Sequence, residues 1–360
     1  MTRILAACGP GEIRAVAVLD GRLLDYAIER PGAPDGVGDR LRGRVIACVP
    51  AMAGAFVALP GAEGFLPDSQ GAAGLLVGAA VTVVVTRAAQ GGKGPRLSAR
   101  CAQAGAGDVV LLQAGPGAIA RLAALHPDAA VTVDDAGAAP PGALVVARAW
   151  DEDIEAAVAA LADPVLALPG GGRASIHPTP ALVAIDVDTG AATAERRAKP
   201  AAQRASNLAA LPALAGAIRL RNLSGGIVVD LAGMAVRARA ALAPAFAAAL
   251  ADDPLRPQFL GFTALGLAEI RRPRIHPPLH ELLAGPHAAG LLALRAMAAE
   301  AAANPAVPLR LRAAPDVVRA LEADAVARTG VAHRTGRPLM MTSDPAMPPG
   351  TCRMETVARG

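Results

Sequence analysis

The sequence predicts an α/β chain of several subdomains, and three observations carry that prediction. Residues 166–285 alternate β-branched strand runs with helix-length segments, the pattern of an α/β sheet. Residues 38–100 break into short alternating strands separated by Gly and Pro turns, which suits a small antiparallel barrel such as an OB-fold. At 360 residues the chain is long enough for two or three domains with cores of their own.

The elements follow in order. Residues 1–37 read as two or three strands, with Asp20-Gly21 a strong hairpin signal. The barrel segment comes next. Residues 101–165 mix short strands with helices, among them Ala118 to Leu125. The acidic stretch Asp151-Glu152-Asp153-Ile154-Glu155 opens a helix to Leu161, where carboxylates suit the positive end of the helix dipole and act as caps. A helix over Ala201 to Leu220 is expected to kink or split at Pro212, and another runs from Ala235 to Leu250. Toward the C-terminus a strand is expected at Val307 to Leu311 and a helix at Ala314 to Ala327, followed by a Pro-rich tail.

Composition narrows the function classes. Residues are 53% hydrophobic, but only 2% are aromatic, and Ala and Gly inflate the figure. No apolar run approaches the roughly 20 residues that span a bilayer. The chain opens directly on a strand, Arg3-Ile4-Leu5-Ala6-Ala7, with no charged-then-apolar leader. Cys8, Cys48, Cys101 and Cys352 are scattered without a C-x-x-C pair, which points to a reduced, cytoplasmic setting. A net charge of +4 mildly favours a polyanionic partner. Lys93 and Lys199 are the only lysines, so Lys93 is conspicuous.

Two segments of the second half each deliver an aspartate at a strand end. They are Ala-Leu-Val-Ala-Ile-Asp-Val-Asp-Thr-Gly (181–190) and Ser-Gly-Gly-Ile-Val-Val-Asp-Leu (224–231). Such apolar runs predict strands covered on both faces, where an unpaired carboxylate is costly. Asp186, Asp188 and Asp230 therefore call for a partner, and carboxylates converging from adjacent strand ends suit a Mg²⁺ ion that keeps its waters and accepts a phosphate oxygen. Periodicity alone also allows Asp188-Thr189-Gly190 to be a turn and Asp230 to be a helix cap.

The surroundings of these segments carry a resemblance. The first follows Leu168-Pro169-Gly170-Gly171-Gly172-Arg173-Ala174-Ser175-Ile176 and Thr179-Pro180-Ala181-Leu182; the second follows Ile218-Arg219-Leu220-Arg221-Asn222-Leu223. Gly266-Leu267-Ala268-Glu269-Ile270-Arg271-Arg272-Pro273-Arg274 comes after. In this order and spacing the stretch resembles the ribonuclease E/G family of endoribonucleases. Arg42-Gly43-Arg44-Val45-Ile46, Gly54 to Leu59, Gly64-Phe65-Leu66-Pro67 and Gly92 to Ser98 resemble the family's barrel motifs.

The resemblance implies an α/β fold of four parts. Residues 1–37 with 106–165 would form a ribonuclease-H-like subdomain interrupted by an OB-fold barrel at 38–105. Residues 166–285 would be a catalytic, deoxyribonuclease-I-like α/β part, and 286–360 a small C-terminal domain. It further implies Mg²⁺-dependent hydrolysis of single-stranded RNA, with Mn²⁺ able to stand in. Asp186 and Asp230 would hold the metal, with Asp188 ligating it or orienting its water. Phe56 and Phe65 would stack bases, and Lys93 and Arg96 would clamp the backbone. Asn207 and Arg221, on family motif positions, would meet phosphates. Read from periodicity alone, Phe56 and Phe65 fit a barrel core as well.

Departures from the family are specific. Asp188 stands where the family has Asn. The second motif thins to Asp230-Leu231-Ala232-Gly233-Met234, without a second acidic residue. The segment after Ser98 is too short for the family's sensor of RNA 5′ ends. His280 and His287 have no cysteine nearby, so no structural zinc is expected, and a homo-oligomer would assemble without a zinc link. These departures favour a second reading, a catalytically weakened RNA-binding protein that kept the barrel. An unrelated metal-dependent phosphatase would require the barrel motifs to be accidental.

Overall fold

The computed structural model describes residues 1–100, 107–188 and 199–357. Strands β1 (Arg3–Gly9), β2 (Glu12–Leu19) and β3 (Arg22–Glu29) form an antiparallel meander. Its second turn is the expected Asp20-Gly21 hairpin, with both residues at positive φ. The chain then enters the barrel through β4 (Arg40–Val49), β5 (Gly54–Leu59), β6 (Ala62–Pro67), β7 (Ala80–Arg87) and β8 (Arg96–Ser98). These five strands run in the order β5-β6-β8-β7-β4 and close because β4 also pairs with β5. The inward residues, among them Val45, Val57, Leu66, Val83 and Leu97, make a dry core. Strand β9 (Val110–Gln113) adds to the outside of β4.

The chain next returns to the first sheet. Helix α1 (Ala118–Leu125) buries Ile119 and Leu122 against it. Strands β10 (Ala130–Val133) and β11 (Leu144–Val145) complete the order β11-β10-β1-β2-β3, with β10 parallel to β1. Trp150 closes this region; it is 2% exposed, donates its indole N–H to the Leu5 carbonyl (3.0 Å) and carries the Arg14 guanidinium over its ring at 4.5 Å.

Helix α2 (Glu152–Ala159) precedes a six-stranded sheet built from β12 (Val165–Ala167), β13 (Arg173–Pro178), β14 (Val183–Asp188), β15 (Gly225–Asp230), β16 (Gln258–Phe262) and β17 (Ala268–Arg272). The order is β12-β13-β14-β15-β17-β16, and β14 and β15 are parallel. Between these two strands runs α3 (Lys199–Leu220); α4 (Val236–Arg239) and α5 (Ala243–Leu250) follow β15. Leu211, Leu214 and Ile218 of α3 and Phe246 of α5 pack on Ile185, Val187, Ile227 and Val229. That contact explains why α3 is not split at Pro212: burial of one apolar face outweighs one lost backbone donor.

The C-terminal part holds α6 (Leu279–Leu282), α7 (Gly285–Ala303), β18 (Leu309–Ala313), α8 (Pro315–Ala323), α9 (Ala325–Thr335), β19 (Met341–Ser343) and β20 (Cys352–Thr356). The expected single helix is two, divided at Asp324, whose carboxylate caps α9 through the Ala327 N–H. The expected Pro-rich tail supplies both partners of β18. By internal compactness the chain divides into residues 1–85, 97–153 and 281–360 as one unit, and 86–96 with 154–280 as the other.

Candidate active site

The register of the six-stranded sheet decides where the carboxylates go. Strands β14 and β15 pair Val183 with Ile227 and, three steps on, Asp186 with Asp230. Burial alternates along both: Ile185, Val187, Ile227 and Val229 face the helices, while Asp186, Asp188 and Asp230 face the other way and are exposed. These strands are therefore covered on one face, not two. The unbroken apolar run misleads because Ala184 and Val228, on the open face, are only half-buried. Exposed carboxylates keep their hydration, so burial cost does not by itself require a metal.

Two of the three carboxylates have arginine partners. Arg239 reaches back from α4 and places Nη1 2.7 Å from Asp230 Oδ1. Its guanidinium is nearly buried and also donates to the Met234 carbonyl (3.1 Å) and the Gly266 carbonyl (2.9 Å). Arg173, the register partner of Asp188 on β13, approaches it at 3.2 Å with both side chains exposed, a pair of little energetic weight. Thr189 and Gly190, the rest of the alternative turn reading, lie outside the described residues.

The loop after Asp230 is fixed from α3. Asn207 is fully buried and donates Nδ2 to the Ala232 carbonyl (2.9 Å). One turn earlier, Gln203 lies so close to Gly233 that a Cβ there would stand 2.2 Å from its Nε2. Gly233 also has φ +65°, so only glycine fits both the backbone and the neighbour. Asn207 is thus a positioning residue and not an RNA contact. Arg221 departs from expectation in the same way. It is buried, donating Nη2 to the Asp163 carbonyl (3.1 Å), and burial pulls it below the ordinary arginine range. Sequence reasoning missed Arg239 and Gln203; an arginine at the end of the short helix α4, nine residues after Asp230, is the one local signal for the first.

A divalent cation is a reasonable guest at Asp186 and Asp230. Two hard carboxylate donors on adjacent, water-exposed strand ends match Mg²⁺, which is bound by one or two carboxylates and retains water. Among the described residues no three His, Cys, Asp or Glu side chains come together as a metal group.

On the barrel, Phe56 and Phe65 are register partners on β5 and β6. Their rings meet edge to face, centroids 5.5 Å apart, half-buried and outside the barrel core. The alternation that sends Val57 and Leu66 inward sends both aromatics outward. Lys93 and Arg96 are exposed, on the hairpin 86–96 that belongs to the other compact unit. That hairpin is tied down by the Ala88 N–H on the Ile275 carbonyl (2.8 Å).

Residues 149–275 match the ribonuclease E/G family, a span that contains all three aspartates and every strand of the six-stranded sheet. Over that span the chain is similar to ribonucleases E and G. It is 38% identical over 130 residues to a ribonuclease E of Nostoc sp., covering 36% of this chain and 19% of that protein. It is 32% identical over 131 residues to a ribonuclease G of Haemophilus influenzae, covering 36% and 26%. Against a ribonuclease E of Escherichia coli it is 36% identical over 115 residues, covering 32% and 11%. The match thus spans about a quarter or less of the length of these relatives. Among the described residues no helix is long and apolar enough to cross a membrane.

Proposed function

We propose that this chain is an endoribonuclease that cleaves single-stranded RNA by metal-dependent phosphodiester hydrolysis, in RNA processing or decay. The observation that carries the reading is the side-by-side placement of Asp186 and Asp230 at exposed, parallel strand ends inside the span matched to ribonuclease E/G. Asp186 and Asp230 would hold Mg²⁺. Bound there, the ion would lower the pKa of water and neutralise charge on phosphate oxygens. Arg239 fixes the Asp230 carboxylate and the loop behind it. Asp188, two residues along the same face, orients the attacking water. Phe56 and Phe65 stack bases, and Lys93 and Arg96 hold phosphates. In this reading β1–β3, β10 and β11 are the ribonuclease-H-like part, supported by a meander followed by two parallel strands. The six-stranded sheet is the deoxyribonuclease-I-like part.

One observation favours a second reading, a weakened RNA-binding relative: Asp230 and Asp188 are already engaged by Arg239 and Arg173. Purified protein on a labelled unstructured RNA, with and without Mg²⁺ and beside Asp186→Ala, separates the two. Mg²⁺-dependent cleavage lost by on the order of 100-fold or more in Asp186→Ala, with RNA binding kept, supports the nuclease. Binding without cleavage at any divalent ion supports the relative.

A further inference from the structure

The end of β15 remote from Asp230 opens into a cavity of roughly 550 Å³ lined by Gly225, Arg256, Gln258, Arg271, Arg272 and Arg274, among others. One lining arginine, Arg272, is structural. It is buried, and it grips Asp253 with two contacts (2.7 and 3.3 Å) and Asn222 at 2.6 Å. The others differ. Among the described residues, Arg256, Arg271 and Arg274 have no carboxylate partner, and neither do Arg87 and Arg96 of the hairpin 86–96. Arg87, Arg96 and Arg274 sit near enough for their charges to interact: burial first, then Arg96 and Arg274, push Arg87 below the ordinary arginine range. The Arg87 Nε is buried without a hydrogen-bond partner among the described residues.

The site is built. Arg256 is held at φ +49°, a left-handed conformation that a long side chain adopts at a cost, and its N–H bonds the Asp253 carbonyl (2.8 Å). The Arg272–Asp253 pair therefore anchors the turn that presents Arg256. Gly225, at φ +87°, lets the Arg274 guanidinium lie against the strand; a Cβ would stand 2.3 Å from its Nη2. Clustered like charges repel unless an anion joins them, and guanidinium forks match phosphate. Five residue steps along β15 separate this end from Asp230, about 16 Å.

We propose that this arginine cavity binds an internal backbone phosphate of single-stranded RNA, anchoring the strand at the opposite end of the sheet from the aspartates. It rests on the reading above only in taking RNA as the source of the phosphate. The site is read by binding, so it does not depend on whether the protein cuts.

The test compares the full-length protein with Arg256→Ala/Arg274→Ala and with a charge-matched control on exposed helix positions, Arg319→Ala/Arg328→Ala. Binding of one unstructured RNA is measured across a salt series, with 5′-hydroxyl and 5′-monophosphate ends. The cavity variant is expected to bind about tenfold more weakly, with a salt slope shallower by roughly 0.7 per phosphate lost and equally for both RNAs. Arg274→Lys is expected to recover part of the slope. Unchanged affinity and slope in the cavity variant would overturn the inference. So would an equal loss in the control, which would mean bulk charge, or a loss confined to the 5′-monophosphate RNA, which would mean a chain end. A native protein that binds but never cuts removes the nuclease reading and leaves this measurement intact.

Discussion

Two sheets of this molecule treat charge in opposite ways. On the three-stranded C-terminal sheet, arginines and carboxylates interleave: Arg310 meets Glu355 at 3.4 Å, Arg312 meets Asp344 at 2.6 Å, and Arg353 meets Glu355 at 3.0 Å. On the six-stranded sheet, charge is sorted along β15: Asp186 and Asp230 lie at one end, where Arg239 engages Asp230, and Arg256, Arg271 and Arg274 gather at the other without a carboxylate partner among the described residues. Interleaved charges neutralise one another and need nothing more. Segregated charges raise the energy of the empty protein and lower it when a cation and an anion arrive. On the proposed reading, the contrast separates charge that holds a fold from charge that awaits a ligand.

The largest effect tests the one arginine at the basic end that is structural. Arg272→Ala leaves Asp253 buried without its partner and should cost about 3–5 kcal/mol, read as a large fall in Tm. A Tm near that of the native protein would place Arg272 with the ligand-awaiting arginines. Next is Arg239→Met, which keeps the side chain's bulk and frees Asp230. Two carbonyl bonds vanish with the ion pair, so stability should drop by about 1–3 kcal/mol. Mn²⁺ binding by electron paramagnetic resonance should tighten as the competing cation leaves. Weaker Mn²⁺ binding would instead make Arg239 the residue that shapes the acidic end.

A third comparison sets uncharged contact against both sheets. Phe65→Ala should weaken RNA binding by about 1–3 kcal/mol with a salt slope unchanged, since stacking releases no counterions. Thermal unfolding should move little because the ring lies outside the barrel core. A large Tm loss with no separate RNA effect would return Phe65 to a packing role. The smallest effect belongs to the interleaved sheet. The Ala346 N–H, then Arg312, hold Asp344 below the ordinary aspartate range. Its contribution is present above the unfolded aspartate value near 3.9 and fades as pH falls through the lower folded value. Asp344→Asn should therefore lower Tm slightly at pH 6 and match the native protein in strong acid; a constant difference across pH would remove the charge from the explanation.

The acidic end was legible in sequence because two short strands of matching length end in Asp188 and Asp230, with Asp186 two residues before the first of these. Their exposure was not: Ile227-Val228-Val229 reads as doubly covered, and only the register shows Val228 on an open face. The roles of Asn207 and Arg221 were misread for a related reason. A polar side chain on a helix gives no sign of whether it turns toward solvent or into a neighbouring loop. The arginine cavity was illegible because its lining comes from the start of β15 at 225, a turn at 256 and a strand exit at 274, with no local spacing to link them. Outward placement of Phe56 and Phe65, by contrast, follows from strict alternation once Val57 and Leu66 are assigned to the core.

The solitary tryptophan gives the molecule a built-in partial reporter. Trp150 and the single tyrosine, Tyr26, both lie in the unit formed by residues 1–85, 97–153 and 281–360. Fluorescence during denaturation therefore sees only that unit melt, while far-ultraviolet circular dichroism sees every helix and strand. Superimposable curves from the two probes would mean that the aspartate-bearing unit, which has neither residue, unfolds in concert with the tryptophan-bearing one. Displaced curves would measure its stability separately, with no label added.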